Sequence, residues 1–224
     1  MACVLSGPLF FIESCKMNPD KLNPLYAFLN LLGQLILLSI CYVVCCLPVI
    51  TVGGATAALY YTVVKVLRRG QDSLFGAFFR ELRGNFLQGL RINLVFLCYF
   101  GVLAYFAIPH LTAFRGQTDA GLSVLIGLAF LGLLPLSFLY PAISRFYYRG
   151  TALFRFALMI LGRHPLQIFG CALLLAAGLL LALSNPVSLL FVPGVVCYLQ
   201  SLLLEPVFRA HSSQDSGYDL WYGD

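Results

Sequence analysis

The feature that most constrains this chain is a set of long stretches without any charge. Leu25 to Ile50 holds no Asp, Glu, Lys or Arg. Gly121 to Ser144, Pro165 to Leu183 and Val187 to Leu204 are equally free of charge. Ile92 to Ile108 is apolar and aromatic apart from Asn93 and Gly101. A helix needs about 20 such residues to cross a hydrocarbon core of ~30 Å, because it rises ~1.5 Å per residue. Each stretch meets or approaches that length. A sixth, Thr51 to Leu67, opens on Gly53-Gly54 and carries Lys65 near its end. It reads as a span, or as a half-depth re-entrant helix, since a lysine there can snorkel to the headgroups.

Composition closes off the water-soluble alternative. Of 224 residues, 60 % are apolar and only 10 % charged. Soluble domains carry about 25 % charged residues. Disordered chains are poor in hydrophobes, so disorder is excluded as well. The fold class expected is all-α: about six transmembrane helices plus two short interfacial amphipathic helices. The domain plan is an N-terminal arm over residues 1–24, a membrane domain over 25–208 and a polar tail over 209–224. Met1 to Ile12 is apolar, with no basic residue before it and no small-residue cleavage site, so no cleavable signal peptide is expected.

Basic residues orient the spans. Lys65, Arg68, Arg69, Arg80, Arg83 and Arg91 fall in one connection, and Arg145, Arg149, Arg155 and Arg163 in another. Lys16 and Lys21 lie in the arm, and Arg209 in the tail. Six spans with both termini in the cytoplasm place all of these inside and leave only Arg115 outside. The outer connections are then those near Val49–Val52, His110–Ala120 and Ser184–Pro186.

The two basic connections also carry apolar patterning. Phe75, Phe78, Phe79, Leu82 and Phe86 recur at helical spacing, with Arg80, Arg83 and Asn85 mainly opposite. Such a helix either lies in the inner interface, arginines toward anionic lipid, or packs its aromatic face on the chain's own spans. Leu153, Phe154, Phe156, Leu158 and Ile160 form a second piece that ends at Gly162-Arg163. The regions echo each other: Arg69-Gly70 and Arg149-Gly150, Leu74-Phe75 and Leu153-Phe154, Leu87-Gln88 and Leu166-Gln167. This order suggests a parallel duplication.

Groups that carry chemistry are sparse. The cysteines are Cys3, Cys15, Cys41, Cys45, Cys46, Cys98, Cys171 and Cys197, with no C-x-x-C among them. They read as small apolar thiols rather than as a zinc or redox site. His110, His164 and His211 are far apart, so no metal site is expected. No G-x-S-x-G and no G-x-x-x-x-G-K-[ST] occurs. No catalytic, cofactor-binding or metal-binding residue is assigned, no enzyme is expected, and no nucleic-acid partner. Glu205 ends the last stretch beside Pro206, with Gln200 and Ser201 a turn above; Arg91 or Arg209 could pair with it. Helix breaks stand at Pro48 to Gly54, at Pro135 and Pro141, and at Pro193-Gly194. Proline frees a backbone carbonyl, and such breaks are either plain kinks or the walls of a solute site.

The stretch from Leu47-Pro48-Val49-Ile50-Thr51-Val52-Gly53-Gly54 through Ala55, Ala57-Ala58 and Leu59-Tyr60-Tyr61 resembles the signature of the YesL-like family of bacterial membrane proteins. Phe75, Phe78-Phe79, Asn85-Phe86 and Gln88 continue the resemblance, and Tyr198-Leu199-Gln200 with Pro206-Val207-Phe208 matches its closing pattern. The similarity runs from about Asn23 to Phe208. It implies an integral membrane protein of Gram-positive-type bacteria, encoded near carbohydrate-uptake transporters. No activity and no site residue carries over from that family. The leading expectation is an accessory or regulatory membrane component, partnered by membrane lipid and by a carbohydrate ABC transporter or another membrane protein. A small-solute transporter with a cavity at the broken helices is the alternative, and a membrane enzyme on lipid-linked substrates ranks last.

Overall fold

The computed structural model describes residues 24–70, 72–112, 120–145 and 151–212, and every regular element among them is helical. α1 runs Pro24–Cys46 and leads into a single 3-10 turn, Val49–Thr51. α2 covers Val52–Thr62 and relaxes into a π turn, Val63–Leu67, where the Arg68 amide reaches the Val63 carbonyl at 3.2 Å. α3 is Leu74–Thr112, α4 Ala120–Arg145, α5 Thr151–Arg163 and α6 Pro165–Ser184. A 3-10 turn, Pro186–Leu190, then leads into α7, Val192–Ser212. Five stretches are long and apolar enough to cross a membrane: Phe28–Cys46, Val49–Leu67, Leu74–His110, Ala120–Arg145 and Pro165–Ser184. The sixth expected span is the shorter apolar part of α7, Val192–Phe208.

α3 departs from expectation. The amphipathic piece over residues 72–88 is not a separate interfacial helix; it is the first half of one rod of 39 residues. Nothing between Leu74 and Ile108 is a proline, and no residue there stops the helix. At ~1.5 Å per residue the rod measures ~58 Å, nearly twice the hydrocarbon core. Its charges, Arg80, Glu81, Arg83 and Arg91, all lie in the first half. The second amphipathic piece is separate. α5 stops at Arg163 because Pro165 follows, and His164 sits between helices at φ −131°. The two echoing regions therefore fold differently, one unbroken and one bent at His164-Pro165.

Small residues determine what packs at the centre. α2 crosses the charged half of α3 where Gly53 and Gly54 face Gly89, and a Cβ on Gly53 would strike the Gly89 carbonyl. Only glycine permits that backbone contact. Gly54 lies over Leu82 and Phe86. Phe78 is fully buried, so the aromatic face packs on the chain's own helices, while Phe79 points outward. The core gathers Tyr60 from α2, Val63 and Val64 from the π turn after it, Phe78 from α3, Phe138 and Ile143 from α4, Ile160 from α5, Ile168 from α6 and Leu204 and Phe208 from α7. α4 passes through Pro135 and Pro141 as one helix, with Ser137 and Ser144 donating at 2.8 Å to the Leu134 and Pro141 carbonyls.

Candidate functional site

Buried charge is the feature most out of place in an apolar bundle, and it gathers where α4 and α7 meet. Arg145, the last residue of α4, forms an ion pair with Glu205 of α7, and both side chains are almost wholly enclosed. The guanidinium also lies 5.7 Å from the Phe208 ring centroid, a cation–π contact. The Tyr60 ring meets Phe208 edge-on at 6.3 Å and Phe138 meets it at 5.3 Å, so aromatic rings wall the pair off. The buried Tyr60 hydroxyl has no hydrogen-bond partner among the described residues. One turn away, Arg68 at the end of α2 donates to the Ser201 carbonyl at 3.1 Å. Gln200 donates to the Cys171 carbonyl at 3.2 Å and ties α7 to α6.

The pairing differs from the sequence expectation. Glu205 takes Arg145, and Arg91 is exposed on α3 instead. The Arg209 side chain lies outside the described residues. Arg145 reads in the sequence as one more charge marking the end of a span. Only the fold turns it inward, toward Glu205 and the Phe208 ring. Desolvating two charges costs several kcal/mol each, and the mutual attraction roughly offsets that only while both partners are present. The pair therefore works as a clamp of high specificity and modest net stability.

Three further polar side chains close the helix breaks. Asn93 of α3 donates to the Val49 and Ile50 carbonyls at 2.8 and 3.3 Å, and its own carbonyl accepts the Tyr140 hydroxyl at 3.3 Å. Thr51 adds hydroxyl bonds to the Cys45 and Pro48 carbonyls. At the second break, Ser39 of α1 donates to the Leu35 carbonyl at 2.8 Å and accepts the Gly194 amide at 2.9 Å. Backbone groups left open where α1 ends and α7 begins are thus met by side chains. The backbone is closely packed at the second break: a Cβ on Gly194 would collide with Ser39 and Leu35. A cavity of about 250 Å³ lies elsewhere, open between α3 and α4. Val95, Phe96, Tyr99, Leu131, Gly132 and Pro135 line it, and all its walls are apolar apart from the Tyr99 hydroxyl. That hydroxyl is engaged with the Leu128 carbonyl at 2.7 Å.

On the surface, the charged half of α3 presents Phe79, Arg83, Leu87 and Arg91 at successive four-residue steps, all exposed. Apolar and basic side chains alternate along this row. Arg80 beside it pairs with Asp72, and that guanidinium holds the Asp72 carboxyl below the usual carboxylate range, helped by the Ser73 amide. α5 shows a shorter version, with Arg155, Met159 and Arg163 exposed in four-residue steps and Ile160 buried behind them. The other candidates stay apart. Cys171 and Cys197 are buried free thiols, Cys98 is exposed, and Cys3 and Cys15 lie outside the described residues. Among the described residues no group of three His, Cys, Asp or Glu could hold a metal ion. The His110 ring packs against Gly121 at the α3–α4 end. The side chain of His211 is outside the described residues.

Apolar helices of spanning length, a buried ion pair and side-chain-capped helix breaks together define an all-helical polytopic membrane protein. Its first part can be placed further: a family model described as "Protein of unknown function, DUF624" matches residues 22–106. YesL-like proteins belong to that family. The match takes in α1, α2 and most of α3, the glycine crossing and Asn93 included. No curated protein matches the chain, and no solved structure does.

Proposed function

We propose that this protein is an accessory or regulatory membrane component that works beside a carbohydrate ABC transporter, with both termini in the cytoplasm. The observation that carries the proposal is the exposed row Phe79–Arg83–Leu87–Arg91. It stands on a rod twice the length needed to cross the membrane, in the half that bears the charges. An apolar-basic row held by a rigid helix is suited to dock on an acidic, partly apolar protein surface. The segregation of arginines supports the cytoplasmic assignment of that face. The resemblance to YesL-like proteins supports the carbohydrate connection. The proposal gives the chain no catalytic step and no resident cofactor or metal. Purification from native membranes in mild detergent should recover transporter subunits with the wild-type chain. The double variant Arg83→Glu, Leu87→Ser should lose them while still folding, because both positions are exposed. Recovery of the chain alone, together with unchanged sugar uptake in a deletion strain, would refute the proposal.

A further inference from the structure

We propose that the break between α1 and α2, Leu47 to Thr51, lies inside the hydrocarbon core of the bilayer, where Leu47, Val49 and Ile50 meet lipid acyl chains. The sequence alone places this connection in outer water, among the short loops. Two observations place it elsewhere.

The first is register. Asn93 binds the Val49 and Ile50 carbonyls directly, so the break sits level with Asn93. Asn93 is two residues past Arg91, the last charge of α3, and opens that helix's apolar half. Beyond it α3 continues to Thr112, about 28 Å further along the axis. Leu94, Val95, Leu97, Val102, Tyr105, Phe106 and Ile108 are exposed on that continuation. Were the break in outer water, all of these side chains would stand beyond the membrane. Exposing so much apolar surface to water at ~25 cal/mol per Å² is far costlier than burying one turn of backbone. The break therefore belongs below the outer surface, at the depth where the apolar half of α3 starts.

The second is how the break is finished. Leu47 is 77 % exposed, Val49 57 % and Ile50 55 %, an apolar tip with no charge in sequence from Leu22 to Val64. A water-exposed turn would leave its carbonyls to solvent. Here Asn93 and Thr51 engage the carbonyls of Cys45, Pro48, Val49 and Ile50. Irregular backbone survives at membrane depth only when protein groups satisfy it. The exposed side chains are thus apolar and the polar backbone is covered, which is the pattern lipid selects.

Fluorescence quenching in reconstituted vesicles tests this with the full-length chain. Trp221 is the single tryptophan, so Trp221→Phe gives a silent background. Ile50→Trp in that background should lose most of its emission to bromine on the acyl chains and little to aqueous acrylamide. Val102→Trp and Leu87→Trp calibrate the scale, the first in the apolar half of α3 and the second in the charged half. Ile50→Trp should behave like Val102→Trp. A response to acrylamide as strong as that of Leu87→Trp, from either side of the vesicle, would overturn the proposal. So would protection from both quenchers, which would mean that protein covers the tip. Leu47→Trp, at the most exposed of the three positions, gives the same reading should Ile50→Trp fold poorly.

Discussion

α2 and the apolar half of α3 both lack charge over most of their length, yet they occupy opposite environments. Of the most apolar stretch of Val49–Leu67, 61 % is buried, and of that of Leu74–His110, 0 %. Side-chain size separates them. α2 begins Gly53-Gly54-Ala55 and continues with Ala57-Ala58, which lets α3 approach to backbone contact, so protein surrounds it. The apolar half of α3 carries Leu94, Val95, Leu97, Val102, Tyr105 and Phe106, and it touches mainly α4. Lipid tails are as apolar as leucine, so no hydrophobic force draws such a surface inward. Hydropathy thus reports distance from water, and small residues report distance from other helices.

Substitutions can break this comparison, and the largest effect is expected at the glycine crossing. Gly89→Leu would drive a side chain into the Gly53 and Gly54 backbone. Overpacking of this kind costs ~3 kcal/mol or more, and here the obstacle is backbone that has nowhere to move. Loss of the folded species in detergent, followed by thermal unfolding, is the expected result. Wild-type stability in Gly89→Leu would show that α2 is not held as described.

Glu205→Ala comes next. It leaves Arg145 buried and without its carboxylate, a cost of ~3–5 kcal/mol. The pairwise replacement Arg145→Met with Glu205→Leu should restore most of that stability, because two apolar side chains need no desolvation. Thermal melting of the single and paired variants separates a clamp from a bystander. Equal melting of Glu205→Ala and wild type would remove the clamp.

The smallest effect belongs to the apolar half of α3. Gly101→Ala meets open space, since nothing stands within 4 Å of an added Cβ. Stability should rise by no more than ~1 kcal/mol, the helix-propensity difference between glycine and alanine. A large loss there would place a hidden protein neighbour on this face and sharpen the contrast with α2 in a different way.

Much of this architecture is legible in the sequence for a simple reason. Charge-free runs of spanning length are a local property, so α1, α4 and α6 emerge from counting residues, and α5 from its amphipathic spacing and the proline after it. α3 defeats the same counting. Its charges suggest two elements, an interfacial piece and a span, but helix continuity depends on backbone hydrogen bonding, and no proline interrupts it between Leu74 and Ile108. The candidate site is less legible still. Arg145 and Glu205 lie in different helices, far apart in sequence, and nothing local distinguishes Arg145 from Arg91 as a partner. Asn93 and Ser39 are single polar residues in apolar runs; their signal is that a lone amide or hydroxyl at membrane depth must find a partner. Gly89 gives even less, because a glycine in a helix announces no neighbour until the opposing glycines are known.

The sequence by itself determined the solvent of this chain and the approximate lengths that cross it, because partitioning into lipid depends on composition over about 20 consecutive residues. The tertiary structure alone decided which apolar helix is enclosed by protein, which arginine turns inward to Glu205, and where the α1–α2 break is pinned. Those outcomes depend on pairs of residues meeting across helices, and such meetings are a property of packing that no single segment contains.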